Sequence, residues 1–308
     1  MEFYDTIIIG GGAAAYSAGM YASRYEMKTL LIEGEFGGET AVAATIENYP
    51  GFKAIDGFDL MEKMKDHAVS TGVKVVQGKA ELVSNAIHCF RVQVGETIYE
   101  GKTLILATGS ERRTLNLPNE KEFKQRGVHY CVTCDGPLFR GKRVAIVGGG
   151  DAAVKGANQL ADTAAEIFVI VRETNINRAE PINRDRLLSR KNVHILYSTE
   201  ITELHGTNRL AQITLSKPYN GSPALPLDAL FVAIGATPRT DLAKKLGVAL
   251  DAQGYVDVDP RTMKTNIDGV FAAGDVTNAS GAFKQIVTGA AQGSIAATSA
   301  YQDLGEHG

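Results

Sequence analysis

The chain has 308 residues, with 32 Lys plus Arg against 35 Asp plus Glu and a formal net charge of −3. That length is ample for two domains, and the slight negative balance leaves no basic face of the kind that holds nucleic acid. No apolar run approaches the ~20 residues of a membrane-spanning helix, and no basic and apolar leader precedes the first strand-like run. The expectation is a cytoplasmic protein with neither nucleic acid nor membrane as a partner.

In chain order, Asp5-Thr-Ile-Ile-Ile9 reads as a strand that enters Gly10-Gly-Gly12, and small residues predict a helix from Ala13 to near Tyr25. Thr29-Leu-Leu-Ile-Glu33 is the next strand. Val73 to Thr103 is mostly polar and hairpin-rich, which predicts a β meander leading into the apolar strand Thr103-Leu-Ile-Leu-Ala-Thr-Gly-Ser110. The plan then repeats. Val144-Ala-Ile-Val-Gly-Gly-Gly150 opens a predicted helix from Asp151 to near Thr163, and Glu166-Ile-Phe-Val-Ile-Val-Arg172 follows as a strand. Ala229-Leu-Phe-Val-Ala-Ile-Gly-Ala-Thr-Pro238 matches the earlier closing strand. Gly269-Val-Phe-Ala-Ala-Gly-Asp275 and a small-residue helix from Gln285 to near Tyr301 end the pattern.

Each copy is a strand, a G-x-G-x-x-A turn and a helix, the order that binds dinucleotides. The first glycine permits the tight turn, the second lets the backbone approach a pyrophosphate, and the small third residue lets helix and strand pack closely. The N–H groups that open the helix then meet the phosphate charge. Glu33, at the end of the first unit's second strand, suits a ribose diol; Arg172 and Glu173 stand at the equivalent end of the second. All of them also fit solvated strand ends. Glu111 to Pro118 and Gly235 to Thr240 are polar, proline-containing connections that suit a hinge. The expected fold is α/β: two Rossmann-like (three-layer ββα) nucleotide-binding domains, the second inserted into the first. The boundaries are 1–112 with 241–308, and 113–240.

Of the three cysteines, Cys89 reads as a small buried apolar residue. Cys131-Val-Thr-Cys134, followed by Asp135 and Gly136, is either a redox pair able to close and reopen a disulfide or half of a metal site. His129 is the nearby candidate ligand, but no second C-x-x-C or H-x-x-x-H completes a set, so no metal is expected.

These motifs resemble the low-molecular-weight thioredoxin reductases over nearly the whole chain. The matching words are Gly10-Gly-Gly12, Gly37-Gly38, Ile46-Glu-Asn-Tyr-Pro-Gly51, Ala107-Thr-Gly109, Cys131-Val-Thr-Cys-Asp-Gly136, Gly148-Gly-Gly-Asp151 and Ala273-Gly-Asp275. Lys284-Gln285 stands where that family has an R-Q pair. The glutathione-reductase branch, with its C-x-x-x-x-C in the flavin domain, is not matched.

The resemblance implies FAD in the first domain, NADH or NADPH as electron donor in the second, and a homodimer. It implies FAD contacts at Gly10, Gly12, Ala13, Ala14, Ala15, Glu33, Gly37, Gly38, Glu39, Thr40, Asn48 and Ala80. Ala107, Thr108, Gly109, Gly274, Asp275, Lys284, Gln285 and Ile286 complete that set. For Asp275 a helix-start cap is the alternative. Nicotinamide-nucleotide contacts fall on Gly148, Gly150, Asp151, Ala152, Ala153, Arg172, Glu173 and Arg178.

The implied reaction carries electrons from the nucleotide through FAD to the Cys131–Cys134 disulfide and on to thioredoxin or a similar small redox protein. Cys131 would attack the substrate disulfide, Cys134 would lie nearer the flavin, and Asp135 would be the acid–base group. Alternatives of the same architecture are a reductase fed by ferredoxin or one linked to a peroxidase; a flavin redox sensor without turnover is the reading from another class. Departures from the family are Ala13 for proline, Glu39 for glutamine and, above all, Val171-Arg172-Glu173 with Asn177 for H-R-R-x-x-x-R. Arg178 comes one residue late, and a glutamate opposes a 2′-phosphate, so NADH is the simplest donor.

Overall fold

The computed structural model describes residues 2–43, 45–281 and 283–307. The chain forms two units, Met1–Glu111 with Thr237–Gly308, and Arg112–Ala236.

The first unit opens with strand β1 (Phe3–Ile9), whose Ile7 and Ile8 are fully buried. Helix α1 (Ala13–Arg24), strand β2 (Thr29–Glu33) and the short helix α2 (Gly38–Ala41) follow. Helix α3 (Gly57–Ser70) was not anticipated. Its cap Asp56 accepts the Phe58 N–H at 2.8 Å, and its inner face buries Leu60, Met61 and Ala68. Strands β3 (Lys74–Gln77), β4 (Ala80–Ala86), β5 (Cys89–Val94) and β6 (Thr97–Leu106) come next.

The meander expected from Val73 is therefore shorter. Strand β3 pairs in parallel with β2, and only β4, β5 and β6 are antiparallel neighbours. The reason is α3, a crossover that returns the chain in the direction of β2. Strand β6 also starts earlier than Thr103. One edge runs parallel to β1, and the first part of the other closes the meander against β5. Cys89 opens β5 as a free, partly buried thiol rather than a fully buried one.

Strand β7 (Ser110–Arg112) leads into the second unit. Its elements are α4 (Glu120–Phe123), β8 (Val128–His129), α5 (Val132–Asp135), a 3-10 turn over Gly136–Phe139, β9 (Arg143–Val147), α6 (Asp151–Ala161) and β10 (Glu166–Val171). Helix α7 (Pro181–Leu188), β11 (Val193–Tyr197), β12 (Ile201–Gly206), β13 (Leu210–Tyr219), β14 (Ser222–Pro226) and β15 (Ala229–Val232) complete it. The expected closing strand thus stops at Val232. Strand β16 (Ala236–Pro238) is a separate piece that pairs with β7 in a two-stranded sheet.

The sheet of the second unit has the order β11-β10-β9-β15-β8 and is parallel throughout. Its residues alternate between two cores, as the twofold side-chain period of a strand requires. Val144, Ile146, Ile167, Val169 and Phe231 pack with α6 and α7 on one face. Ala145, Val147, Phe168, Ile170 and Leu230 pack with the β12-β13-β14 meander on the other. Burial on both faces explains why these strands read as unbroken apolar runs.

The first unit resumes with α8 (Asp241–Leu246), β17 (Val270–Ala272) and α9 (Ile286–His307), which is longer than predicted. Strand β17 adds in parallel to β6, giving a seven-stranded sheet of order β3-β2-β1-β6-β5-β4 with β17 beside β6. Helices α1 and α9 are rich in small residues because they nearly touch. A Cβ at Gly293 would lie 2.0 Å from the Ala14 carbonyl oxygen. Both units are Rossmann-like layers of helix, parallel sheet and β meander.

Candidate functional site

The same device builds both glycine turns. Gly10 has φ 145° and a Cβ there would meet the Ala107 carbonyl oxygen at 2.2 Å; Gly148 has φ 139° and faces the Ala233 carbonyl oxygen at the same 2.2 Å. Each glycine therefore lets the turn sit against the end of a neighbouring strand. Gly12 and Gly150 are the N-cap residues of α1 and α6, and neither helix has a side-chain cap. A Cβ at Gly150 would meet nothing within 4 Å, and one at Gly12 only the Gly37 carbonyl oxygen at 3.9 Å. Neither helix start is thus capped by a side chain or crowded at its glycine, which suits a phosphate.

In the first unit, Gly37 and Gly38 adopt φ 65° and 53° and bring the loop that carries Glu39 and Thr40 across Gly12. Ala13, Ala14 and Ala15 are buried on α1, with Ala14 against Gly274, whose Cβ would lie 3.0 Å away. Asn48 Nδ2 donates to Gln285 Oε1 at 3.1 Å, just before α9 begins at Ile286. Thr108 Oγ1 donates to the Arg239 carbonyl at 2.7 Å, and the Arg239 N–H donates to Gly109. Ala80 opens β4, two residues after Gly78, whose N–H donates to the Glu33 carbonyl at 2.9 Å.

Glu33 is not a solvated strand end. It is fully buried, accepts from the Tyr16 hydroxyl, and accepts from Lys65 Nζ at 2.6 Å. Burial first, and then the Glu33 carboxylate, push the Tyr16 hydroxyl well above the usual phenol range. Sequence reading missed Tyr16 and Lys65, because only α3 brings the lysine to this strand end.

Asp275 does not cap a helix, since α9 begins only at Ile286. Burial raises its pKa; Lys284 opposes that, Glu39 adds to it and a hydrogen bond with Ser110 opposes it. Burial also lowers the pKa of Lys284, whose ammonium donates to the Thr277 carbonyl and lies 4.3 Å from the centre of the Tyr255 ring.

In the second unit the residues singled out around the turn come together. Gly150 and Arg178 form a parallel β-bridge, so Arg178 stands beside the glycines despite its late position in the sequence. Its Nη2 donates to Glu173 Oε1 at 2.8 Å, and Arg172 Nη2 donates to the same oxygen at 3.4 Å. Burial works against the charge on Glu173, but its own backbone N–H and both arginines outweigh this and hold the carboxyl below its usual range. A Cβ on Gly149 would lie 3.5 Å from Glu173 Oε2, so the carboxylate borders the turn. Asp151 accepts from the Glu180 N–H at 3.1 Å and from Lys155 at 2.7 Å. Ala152 and Ala153 continue the first turn of α6, with Ala153 fully buried.

Cys131 and Cys134 form a disulfide with Cα atoms 5.4 Å apart. The loop is mounted on α6. A Cβ at Gly156 would meet Val132 Cγ2 at 3.0 Å, and one at Gly136 would meet Leu160 Cδ2 at 3.2 Å. Glycine at both places lets the cysteine loop lie flat on the helix. Asp135 Oδ2 is 2.9 Å from His129 Nδ1. His129 is thus paired with a carboxylate, and no group of three or more His, Cys, Asp or Glu among the described residues is arranged to hold a metal ion. No helix among the described residues is long and apolar enough to cross a membrane.

Known proteins are similar to this chain over nearly its whole length. The family described as pyridine nucleotide-disulphide oxidoreductase matches residues 4–293. The chain is 37% identical to a 34.2 kDa protein in the rubredoxin operon of Clostridium pasteurianum, covering 98% of this chain and 97% of that one. It is 36% identical to thioredoxin reductase of Bacillus subtilis, covering 97% and 94%. The crystal structure of Lactococcus lactis thioredoxin reductase superposes with a TM-score of 0.93 at 33% identity, covering 98% and 99%. With two glycine turns, a C-x-x-C disulfide and near-complete overlap, the chain belongs to the pyridine nucleotide-disulphide oxidoreductase family, in its low-molecular-weight thioredoxin reductase branch.

Proposed function

We propose that this chain is an FAD-dependent disulfide reductase that takes electrons from a reduced nicotinamide nucleotide, NADH in preference to NADPH, and delivers them to thioredoxin or a thioredoxin-like protein. The observation that carries this reading is the pairing, in one unit, of an open glycine turn with a redox disulfide laid on the helix that the turn begins.

FAD fits the first unit. The open start of α1 suits its pyrophosphate and the buried Glu33 its ribose, while Gly37 to Thr40, Asn48, Ala80, Ala107 to Gly109, Gly274, Asp275 and Lys284 to Ile286 frame the remainder. When bound, FAD supplies two-electron transfer between a nicotinamide and a disulfide. Gly148 to Ala153, Arg172, Glu173 and Arg178 form the nucleotide turn of the second unit. NADH is favoured because Glu173 already occupies both arginines and sets a carboxylate where a 2′-phosphate would bring two more negative charges. Cys131 is the attacking thiol toward the substrate disulfide, Cys134 closes the ring again, and Asp135 manages the thiol protons. A homodimer in the cytoplasm completes the reading.

The test is spectroscopic. Anaerobic NADH should bleach the flavin absorbance of the loaded protein, and oxidised thioredoxin should restore it. No bleaching by either nucleotide defeats the donor assignment; bleaching without recovery defeats the thioredoxin assignment.

A further inference from the structure

His129 is a buried titratable group that the reaction above leaves unused. It ends β8, is 5% exposed, and its Nδ1 lies 2.9 Å from Asp135 Oδ2. Its Nε2 is buried and has no hydrogen-bond partner among the described residues. The ring meets Phe139 edge-on at 5.1 Å and lies tilted against Phe231 at 5.5 Å. Besides Asp135, the charged groups around it are Arg126, Lys142 and Arg209, which line the same cavity.

These contacts decide where the imidazole proton sits. A proton on Nε2 would bury an N–H donor among aromatic rings with no acceptor, which is costly. A proton on Nδ1 instead donates to Asp135 Oδ2 and leaves only a bare lone pair against the rings. We infer that His129 is the positioning residue of Asp135: it holds the carboxylate through Oδ2 and leaves Oδ1 to meet a thiol.

The inference rests on Asp135 as the acid–base group of the dithiol. In exchange with a protein disulfide, Cys131 gives its proton to Asp135 and its Sγ, as thiolate, attacks one substrate sulfur, forming the mixed disulfide and breaking the substrate S–S bond. The departing substrate thiolate takes the proton of Asp135. Cys134 then gives its proton to Asp135 and attacks Cys131 Sγ, which re-forms the enzyme disulfide and releases the second substrate sulfur as a thiolate. That thiolate takes the proton that Cys134 gave to Asp135. The enzyme dithiol is oxidised, the substrate disulfide is reduced, and two protons move with the two electrons.

The experiment uses FAD-loaded protein reduced with excess dithiothreitol under nitrogen. Iodoacetamide labelling of Cys131 and Cys134 is followed by mass spectrometry from about pH 5 to about pH 9, the range in which an imidazole titrates. The wild type should show an inflection besides that of the attacking thiol. His129→Phe should lose it and change the labelling rate near neutrality about tenfold, the effect of removing one close charged or hydrogen-bonded partner. His129→Asn, whose amide N–H can reach Oδ2, should restore the rate at high pH without restoring the inflection. Superimposable profiles for the three proteins would overturn the inference. Should His129→Phe not fold, 15N-histidine NMR of the wild type decides: the proton of the neutral His129 ring must sit on Nδ1, and a proton on Nε2 overturns the inference. Labelling requires neither nucleotide nor thioredoxin, so its failure is distinct from failure of the flavin-bleaching test.

Discussion

Replacing Glu173 with glutamine tests the donor preference directly. The carboxylate lies 2.8 Å from Arg178 and 3.4 Å from Arg172, so an anion held by either arginine meets it at close range. Against a phosphate with two charges at about 5 Å, a carboxylate costs about 2 kcal/mol in water and several-fold more in a drier cleft. Glu173 has 35% of its side chain exposed, so the lower figure applies, further reduced by salt acting over about 8 Å. About 2 kcal/mol is roughly a thirtyfold change in affinity. Glu173→Gln should therefore raise the ratio of kcat/KM for NADPH to that for NADH by about ten- to thirtyfold at low salt, mostly through KM for NADPH, and by less at high salt. Glu173→Arg should move the ratio further. Steady-state kinetics with both nucleotides at fixed ionic strength provide the assay. A ratio that shifts less than about twofold, or that ignores salt, refutes the electrostatic argument.

Three further outcomes follow from the geometry. Lys65→Met strips the fully buried Glu33 of its cation; the loss should be about 2 kcal/mol, below the cost for a wholly buried pair because Lys65 is partly exposed. Looser FAD retention should accompany it, and unchanged denaturant midpoint and FAD retention would contradict it. Gly156→Val drives a branched side chain into Val132 and Ile146, each 3.0 Å from the ideal Cβ; it should destabilise the protein by about 1–3 kcal/mol. Its disulfide should also react faster with dithiothreitol, and wild-type behaviour in both assays would show that the cysteine loop does not depend on α6. Asp275 has a raised pKa in the folded state, so its share of stability is full below the ordinary value of 3.8 and is lost as pH rises through the raised value. Asp275→Asn apoprotein should lack that part of the pH slope in melting experiments, and parallel slopes for the two proteins would refute the assignment.

The glycine turns were legible because they depend on neighbours in sequence. A strand, a positive-φ glycine and an uncapped helix start at Gly10–Ala13 and Gly148–Asp151 follow from steric rules acting over a few residues. The insertion of one unit into another could be read for the same reason, from a plan that repeats. Strand β3 was misplaced because its parallel partner depends on α3, which the sequence reading did not register. Glu33 could be named as a ribose-type carboxylate, but its complete burial and its pairing with Tyr16 and Lys65 come from segments far apart in the chain. Likewise, the C-x-x-C could be read as a redox pair, while the contact between His129 and Asp135 exists because β8 and the cysteine loop converge. By itself the sequence determined the turns, the repeated plan and the chemistry of the cysteines. Tertiary structure alone decided which charges are buried and what they pair with, because desolvation and ion pairing depend on the segments that the fold brings into contact.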